Sequence, residues 1–204
     1  MLARLLDAGA QIGWFTADEA SGNNPALRSW CEHIGLNYVL AISCDHRFDG
    51  PASRVRADEL ARAAGRKGWR RLSAGTGSKG QRLYDWLLVD PHPSPDTHSH
   101  APRHLLLARR SISNPDELAY YICHTAQPVP LAELVRVAGS RWALEETFQF
   151  AKNETGLDHY QLRRYDAWYR HITLSMLAAS FLAVTAHTER LHDQKGEARK
   201  IATT

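Results

Sequence analysis

The sequence predicts an α/β core, split by a β-rich insertion from roughly 45 to 128 and resumed by two long helices. Three observations predict it. A strand–helix–strand pattern fills residues 12 to 43, and its length calls for parallel pairing through a crossover. Four strand candidates then follow at spacings that suit an antiparallel sheet. From Pro130 the apolar spacing becomes helical again and stays so for two long segments.

Taken in order, "LARLLDAG" at 2 to 9 reads as a helix closed by Gly9. "IGWFTAD" is a short apolar, aromatic run ending on Asp18, the pattern of a buried strand with an acid at its carboxyl end. "EASGNNP" reads as a turn, "ALRSWCEHIG" as a helix stopped by Gly35, and "NYVLAIS" as a second buried strand. Residues 45 to 68 are polar and basic, with a short helix at 57 to 64. "GWRRLSAG", "RLYDWLLVD", "RHLLLARRS" and "LAYYICHT" are the four insertion strands, and the Pro/His/Ser loop "PHPSPDTHSHAP" separates the second from the third. The chain then divides into a helical completion of the core at 129–192 and a polar tail at 193–204, with residues 1–44 forming the first part of that core. The Leu, Met and Phe positions of "ITLSMLAASFLAV" are expected to pack inside.

A chain of 204 residues can bury a real core, and 44% hydrophobic with 23% charged residues is ordinary globular composition. The formal net charge of +3 is too small to argue for nucleic acid by itself, so the placement of charge matters more. Cys31, Cys44 and Cys123 lack close ligand spacing, which suits buried thiols in a reducing cytoplasm. No signal peptide is expected, and the apolar run "ITLSMLAASFLAVTA" reads as too short for a membrane span, which needs roughly 20 residues.

The segment "RWALEETFQFAKNETGLDHYQLRR" concentrates the chemistry. Advancing about 100° per residue from Arg141, Glu145 falls near 40° and Lys152 near 20°, one narrow stripe of a helix. Leu144, Phe148 and Ala151 take the adjoining arc, on the side expected to face a core. Spacing alone leaves two readings open: an amphipathic helix with an exposed Arg141–Glu145 pair, or a carboxylate held between cations at the border of a buried face. Asp18 has the same duality. It is a cap or turn residue at a strand end, or one of two carboxylates that together hold a hard divalent ion where open α/β sheets place their sites.

The order "R-x3-E-x6-K" at Arg141, Glu145 and Lys152, followed by "GLDHYQLRRYDAWYRH", resembles the carboxyl-terminal signature of bacterial insertion-sequence transposases of the DDE superfamily. "WFTADEASGNNPALRSWCEHIGLNYVLAIS" is similar to the segment around that family's second catalytic aspartate, and "GWRRLSAGTGSKGQRLYDWLLV" to its β-rich insertion. The resemblance covers roughly 10 to 190. It implies a ribonuclease-H-like core, with Asp18 as the second catalytic acid, Glu145 as the third, and both as ligands of Mg²⁺ or Mn²⁺. It implies that Arg141 and Lys152 contact DNA phosphates, with double-stranded DNA (transposon ends and target) as the partner and a second copy or an intact transposase as a further one. Ions on three carboxylates would activate water and then a DNA 3′-hydroxyl.

The sequence departs from the family pattern at three points. The first acid belongs on a strand upstream of Asp18, and Asp7, the acid that precedes it here, sits in a helical pattern. The chain thus reads as a carboxyl-terminal part with an incomplete core, inactive by itself, or else as a non-catalytic DNA-binding module that competes with intact transposase. Ala138 replaces a tyrosine of the wider motif, and Ser21 stands where an aromatic is common. Lys79 and Arg82 in "GTGSKGQR" are expected on a turn near the DNA backbone, because the order is wrong for a phosphate-binding loop. His159, Arg163, Arg164, Tyr169 and Arg170 are expected DNA contacts, with Trp168 and Tyr169 equally suited to core packing. His92, His98, His100 and His104 lack the partner pattern of a zinc site.

Overall fold

In the computed structural model, which describes residues 2–50, 53–77, 80–91 and 103–201, capping chemistry sets the amino-terminal unit. Helix α1 (Leu2–Asp7) gives way to Gly9 at φ 81°, a left-handed turn that a Cβ would strain. Strand β1 (Phe15–Ala17) ends at Asp18, whose carboxylate accepts from the Ser21 N–H at 3.1 Å and so caps the short helix α2 (Glu19–Gly22). The segment read as a turn is therefore helical. Asn24 caps α3 (Pro25–His33) in the same way, accepting from Ala26 and Leu27, with Pro25 prepared for the first turn. Strand β2 (Tyr38–Ile42) then pairs parallel with β1, as the crossover length requires.

The polar stretch holds more than its helix α4 (Ala57–Ala63). A two-stranded antiparallel ribbon, β3 (Arg47–Asp49) and β4 (Arg54–Arg56), precedes it, anchored inward by Phe48. Four antiparallel strands follow where expected: β5 (Arg70–Gly77), β6 (Gly80–Val89), β7 (Arg103–Arg110) and β8 (Leu118–Thr125). β8 also pairs antiparallel with β2, which joins β5 to β8 with β1 and β2 into one mixed sheet ordered β1-β2-β8-β7-β6-β5. The fold is α/β: a mixed six-stranded sheet followed by two carboxyl-terminal helices, an arrangement compatible with a ribonuclease-H-like core.

Because side chains alternate along a strand, the sheet has two distinct faces. Tyr38, Leu40, Ile42, Leu106, Ala108 and Ile122 point to one face and pack with Cys31 of α3 and with Ala57 and Ala61 of α4. Val39, Trp86, Leu107, Tyr121 and Cys123 point to the other, against Leu134, Val135, Val137 and Ala138 of α5 (Leu131–Thr155). Both faces are covered, which is why β2 and β8 read as nearly continuous apolar runs and β7 has an apolar centre. Gly139 is the close-approach point of α5 on the sheet. A Cβ built there would sit 2.1 Å from the Ala74 carbonyl oxygen. Arg82 locks this contact, donating from Nη2 to the carbonyls of Ala74 at 2.8 Å and Gly139 at 3.0 Å.

The chain forms two compact units, Met1–Arg141 and Trp142–Thr204. In the second, Ala151, Leu157 and Ala179 are buried together with Ile172 against them. The expectation of core packing fails for most apolar positions here. Leu144 and Phe148 are exposed on α5, and Leu174, Leu177, Phe181 and Val184 are each about two-thirds exposed on α6 (Tyr165–Ile201). The reason is geometric: two helices can bury only the narrow line where they meet, and the rest of an apolar surface needs a third element. α6 is continuous, so its Tyr165–Glu189 stretch is long and apolar enough, by length and composition, to cross a membrane, contrary to the shorter run counted from sequence.

Burial sorts the thiols. Cys31 and Cys123 are buried, and desolvation pushes both thiols up, Cys123 the more strongly, whereas Cys44 is exposed. Titration of the native protein with a thiol reagent at pH 8 should modify one equivalent rapidly, at Cys44, and three only after denaturation. Rapid reaction of two or more native thiols would contradict this packing.

Candidate functional site

Asp18 lies where β1 hands over to α2, so its position is fixed by a strand on one side and a cap on the other. The side chain is exposed, and hydrogen bonds from Ser21, with a further contribution from the positive charge of Arg141, hold its carboxyl below the ordinary carboxylate range. Both halves of the sequence reading therefore apply: Asp18 is a cap, and it is also an ionised, accessible carboxylate at the carboxyl end of a sheet strand. Ionised and exposed is the state a hard cation requires. Arg141 lies in the same compact unit, on the α5 turn after Gly139.

Helix α5 runs unbroken from Leu131 to Thr155 and carries Arg141, Glu145 and Lys152. Glu145 and Lys152 are exposed and belong to the second unit. Ala138 is buried on the sheet-facing side beside Gly139, in the same cluster as Trp86 and Tyr121.

The helix stops at Gly156, φ 63°, and the chain turns there with His171 Nε2 3.0 Å from the Gly156 carbonyl oxygen. Beyond this turn an aromatic series forms: Tyr160 packs edge-on to Trp168, and Tyr165 lies between Trp168 and Tyr169, with ring centroids 5.8 to 6.2 Å apart. Trp168 is half-buried and Tyr169 is exposed, which divides the two readings between them. Tyr165, Asp166, Tyr169 and Arg170 line an open depression. Lys152, His159, Arg163, Arg164 and Arg170 are all exposed; the contact of His159 with Asp158 (3.8 Å) and the ion pair of Arg164 with Asp166 (3.7 Å) are long and solvated. This is a surface of cations interleaved with aromatic rings, suited to phosphate contact and base stacking.

One of the other expected positions is tied into the fold. Arg82 is committed to the carbonyls of Ala74 and Gly139, a structural tie between sheet and helix. Lys79, His92, His98 and His100 lie outside the described residues. His104 is described, on β7, and joins Glu32 and His124 in a group of ligand-capable side chains that sequence reading missed. Its signal was faint: His124 and His104 are directly paired across β8 and β7, visible only once the register is known. A second missed feature is a basic cleft between α4 and the β7–β8 pair, lined by Arg62, Arg66, Trp69 and Arg110 among others. The Arg110 guanidinium lies 4.3 Å over the Trp69 ring.

Comparison with protein-family models matches residues 1–181 to the model described as the transposase DDE domain. No curated protein matches the chain.

Proposed function

The chain belongs to the DDE transposase family, whose domains use divalent metals in DNA transposition, and from that premise we propose that Asp18 and Glu145 are two of the carboxylates that hold Mg²⁺ or Mn²⁺. The observation that carries this reading is the state of Asp18. A carboxylate at the end of a sheet strand is exposed, ionised, and under the charge of Arg141, the first member of the α5 stripe. What a bound ion supplies at such carboxylates is Lewis-acid activation of water or a 3′-hydroxyl and neutralisation of phosphoryl charge. Asp18 and Glu145 would offer their carboxylate oxygens as ligands. Arg141 and Lys152 would hold phosphate oxygens, Arg141 through its planar fork and Lys152 as a point charge. The cations and rings from His159 to Arg170 would track the DNA backbone beyond the cut. The reaction is phosphodiester hydrolysis and strand transfer on the DNA of an insertion sequence, carried out in a bacterial cytoplasm.

The family resemblance implies three carboxylates, and Asp18 and Glu145 match two of them. We therefore propose that the 204-residue chain does not cut DNA by itself. Two measurements test the reading. In the first, Mn²⁺ added to the labelled chain should broaden the NMR signals nearest Asp18 and Glu145, and the effect should disappear in Asp18→Ala. Broadening centred elsewhere would remove Asp18 from the site. In the second, supercoiled plasmid incubated with chain and Mn²⁺ should stay intact, and nicking that is lost in Glu145→Ala would overturn the inactivity. The exposed cationic surface from Lys152 to Arg170 favours a second reading, a non-catalytic DNA-binding module that occupies sites needed by an intact transposase.

A further inference from the structure

We propose that Glu32, His104 and His124 form a second metal site, separate from Asp18 and Glu145 and selective for a borderline transition-metal dication such as Zn²⁺. Three elements supply it: Glu32 comes from the last turn of α3, His104 from β7 and His124 from β8. The sheet register makes the arrangement. Tyr38 of β2 pairs directly with His124, and His124 pairs directly with His104. All three side chains therefore stand in one row on the face that α3 covers. Glu32 descends onto that row. One donor atom of each of Glu32, His104 and His124 lies within 4.8 Å of the others. Donors about 2.0–2.1 Å from a tetrahedral zinc are about 3.3 Å apart, so a small rotation of the accessible His104 and Glu32 side chains closes the set.

A hydrogen-bond contact between Glu32 Oε1 and His104 Nε2 at 2.8 Å accounts for two members of the group. It does not account for His124. That ring is buried, lies stacked on Tyr38 with centroids 5.2 Å apart, and has an Nδ1 with no hydrogen-bond partner among the described residues. Buried ring nitrogens are ordinarily satisfied, and a nitrogen left in this state is available to a ligand. The Tyr38 hydroxyl donates to Glu32 Oε1 at 2.6 Å, which fixes the carboxylate as outer partners of metal ligands do. Two imidazoles and one carboxylate are the donor set of an open zinc site, with the fourth position left to solvent. Magnesium prefers oxygen donors alone, so the chemistry of this group differs from that of two carboxylates.

The test is metal uptake by the full chain after dialysis against EDTA. One equivalent of Co²⁺ should produce the d–d absorption of a tetrahedral site, Zn²⁺ should displace it, and excess Mg²⁺ should not. Because His124 is buried, the first variants are His104→Ala and Glu32→Gln, checked by circular dichroism and melting. Each should weaken uptake about a hundredfold or more, and Tyr38→Phe about tenfold. The paired variant Asp18→Ala/Glu145→Ala should keep full uptake. The proposal falls if the wild-type chain takes up no Co²⁺ or if His104→Ala binds normally. It falls equally if uptake is lost in the Asp18/Glu145 variant, or if it follows substitution of His92, His98 and His100 instead.

Discussion

Gly139→Ala should destabilise the protein by about 2 kcal/mol net and lower its melting temperature by about 4–8 °C. The new methyl would sit 2.1 Å from the Ala74 oxygen and 2.8 Å from its carbonyl carbon, so the obstacle is backbone and cannot rotate away. Either β5 or α5 has to retreat, and retreat breaks the bridge that Arg82 makes to the carbonyls of Ala74 and Gly139. Overpacking of this kind costs about 1–3 kcal/mol, here at the upper end because a strand must move. Alanine's better helix propensity returns about 1 kcal/mol, which is why the net figure is smaller than the steric one. Gly13→Ala is the control: its Cβ meets nothing within 4 Å, and its effect should stay within about 0.5 kcal/mol. Equal melting temperatures for the two variants would mean that α5 does not press on β5 as closely as described.

The second large effect concerns DNA. Replacing Lys152, Arg163, Arg164 and Arg170 together by alanine should make the slope of log K against log salt shallower by about 3–4, at roughly 0.9 per lost phosphate contact on duplex DNA. Affinity at low salt should fall by more than tenfold, and equally for all DNA sequences, because phosphate contacts carry no base information. All four side chains are exposed, so the fold should survive and the melting temperature should scarcely move. An unchanged salt slope would place the DNA elsewhere, with the cleft of Arg62, Arg66, Trp69 and Arg110 next to be examined. A change in slope without any cleavage activity would favour the competing-module reading.

What the sequence disclosed follows from where local chemistry decides structure. β1, α3 and β2 were legible because Asn24, Pro25 and Gly35 punctuate them and apolar runs fill them. The four later strands were legible for the same reason, and α5 because no proline interrupts it before Gly156 stops it. The ribbon of β3 and β4 was not. Its strands are three residues each and mostly arginine and aspartate, with Phe48 as the lone strongly buried anchor. α6 misled because apolar composition states that a surface needs covering, without stating what covers it. Of the site, Asp18 and the Arg141–Glu145–Lys152 stripe came from order along the chain. The group of Glu32, His104 and His124 could not, since its members are separated by 72 and 20 residues and meet only through sheet register.

The strand order has one more consequence, for resistance to aggregation. The outer strands of the sheet are β1 and β5. β1 offers three residues, too few to template another strand, and β5 shifts register between Ser73 and Thr76, an irregularity that bends its outer rim. Both ends of the sheet are thus blunted against strand addition, the usual route to fibrils and to sheet-extended dimers. A fibril-sensitive dye should therefore stay dark with the native chain even at high concentration.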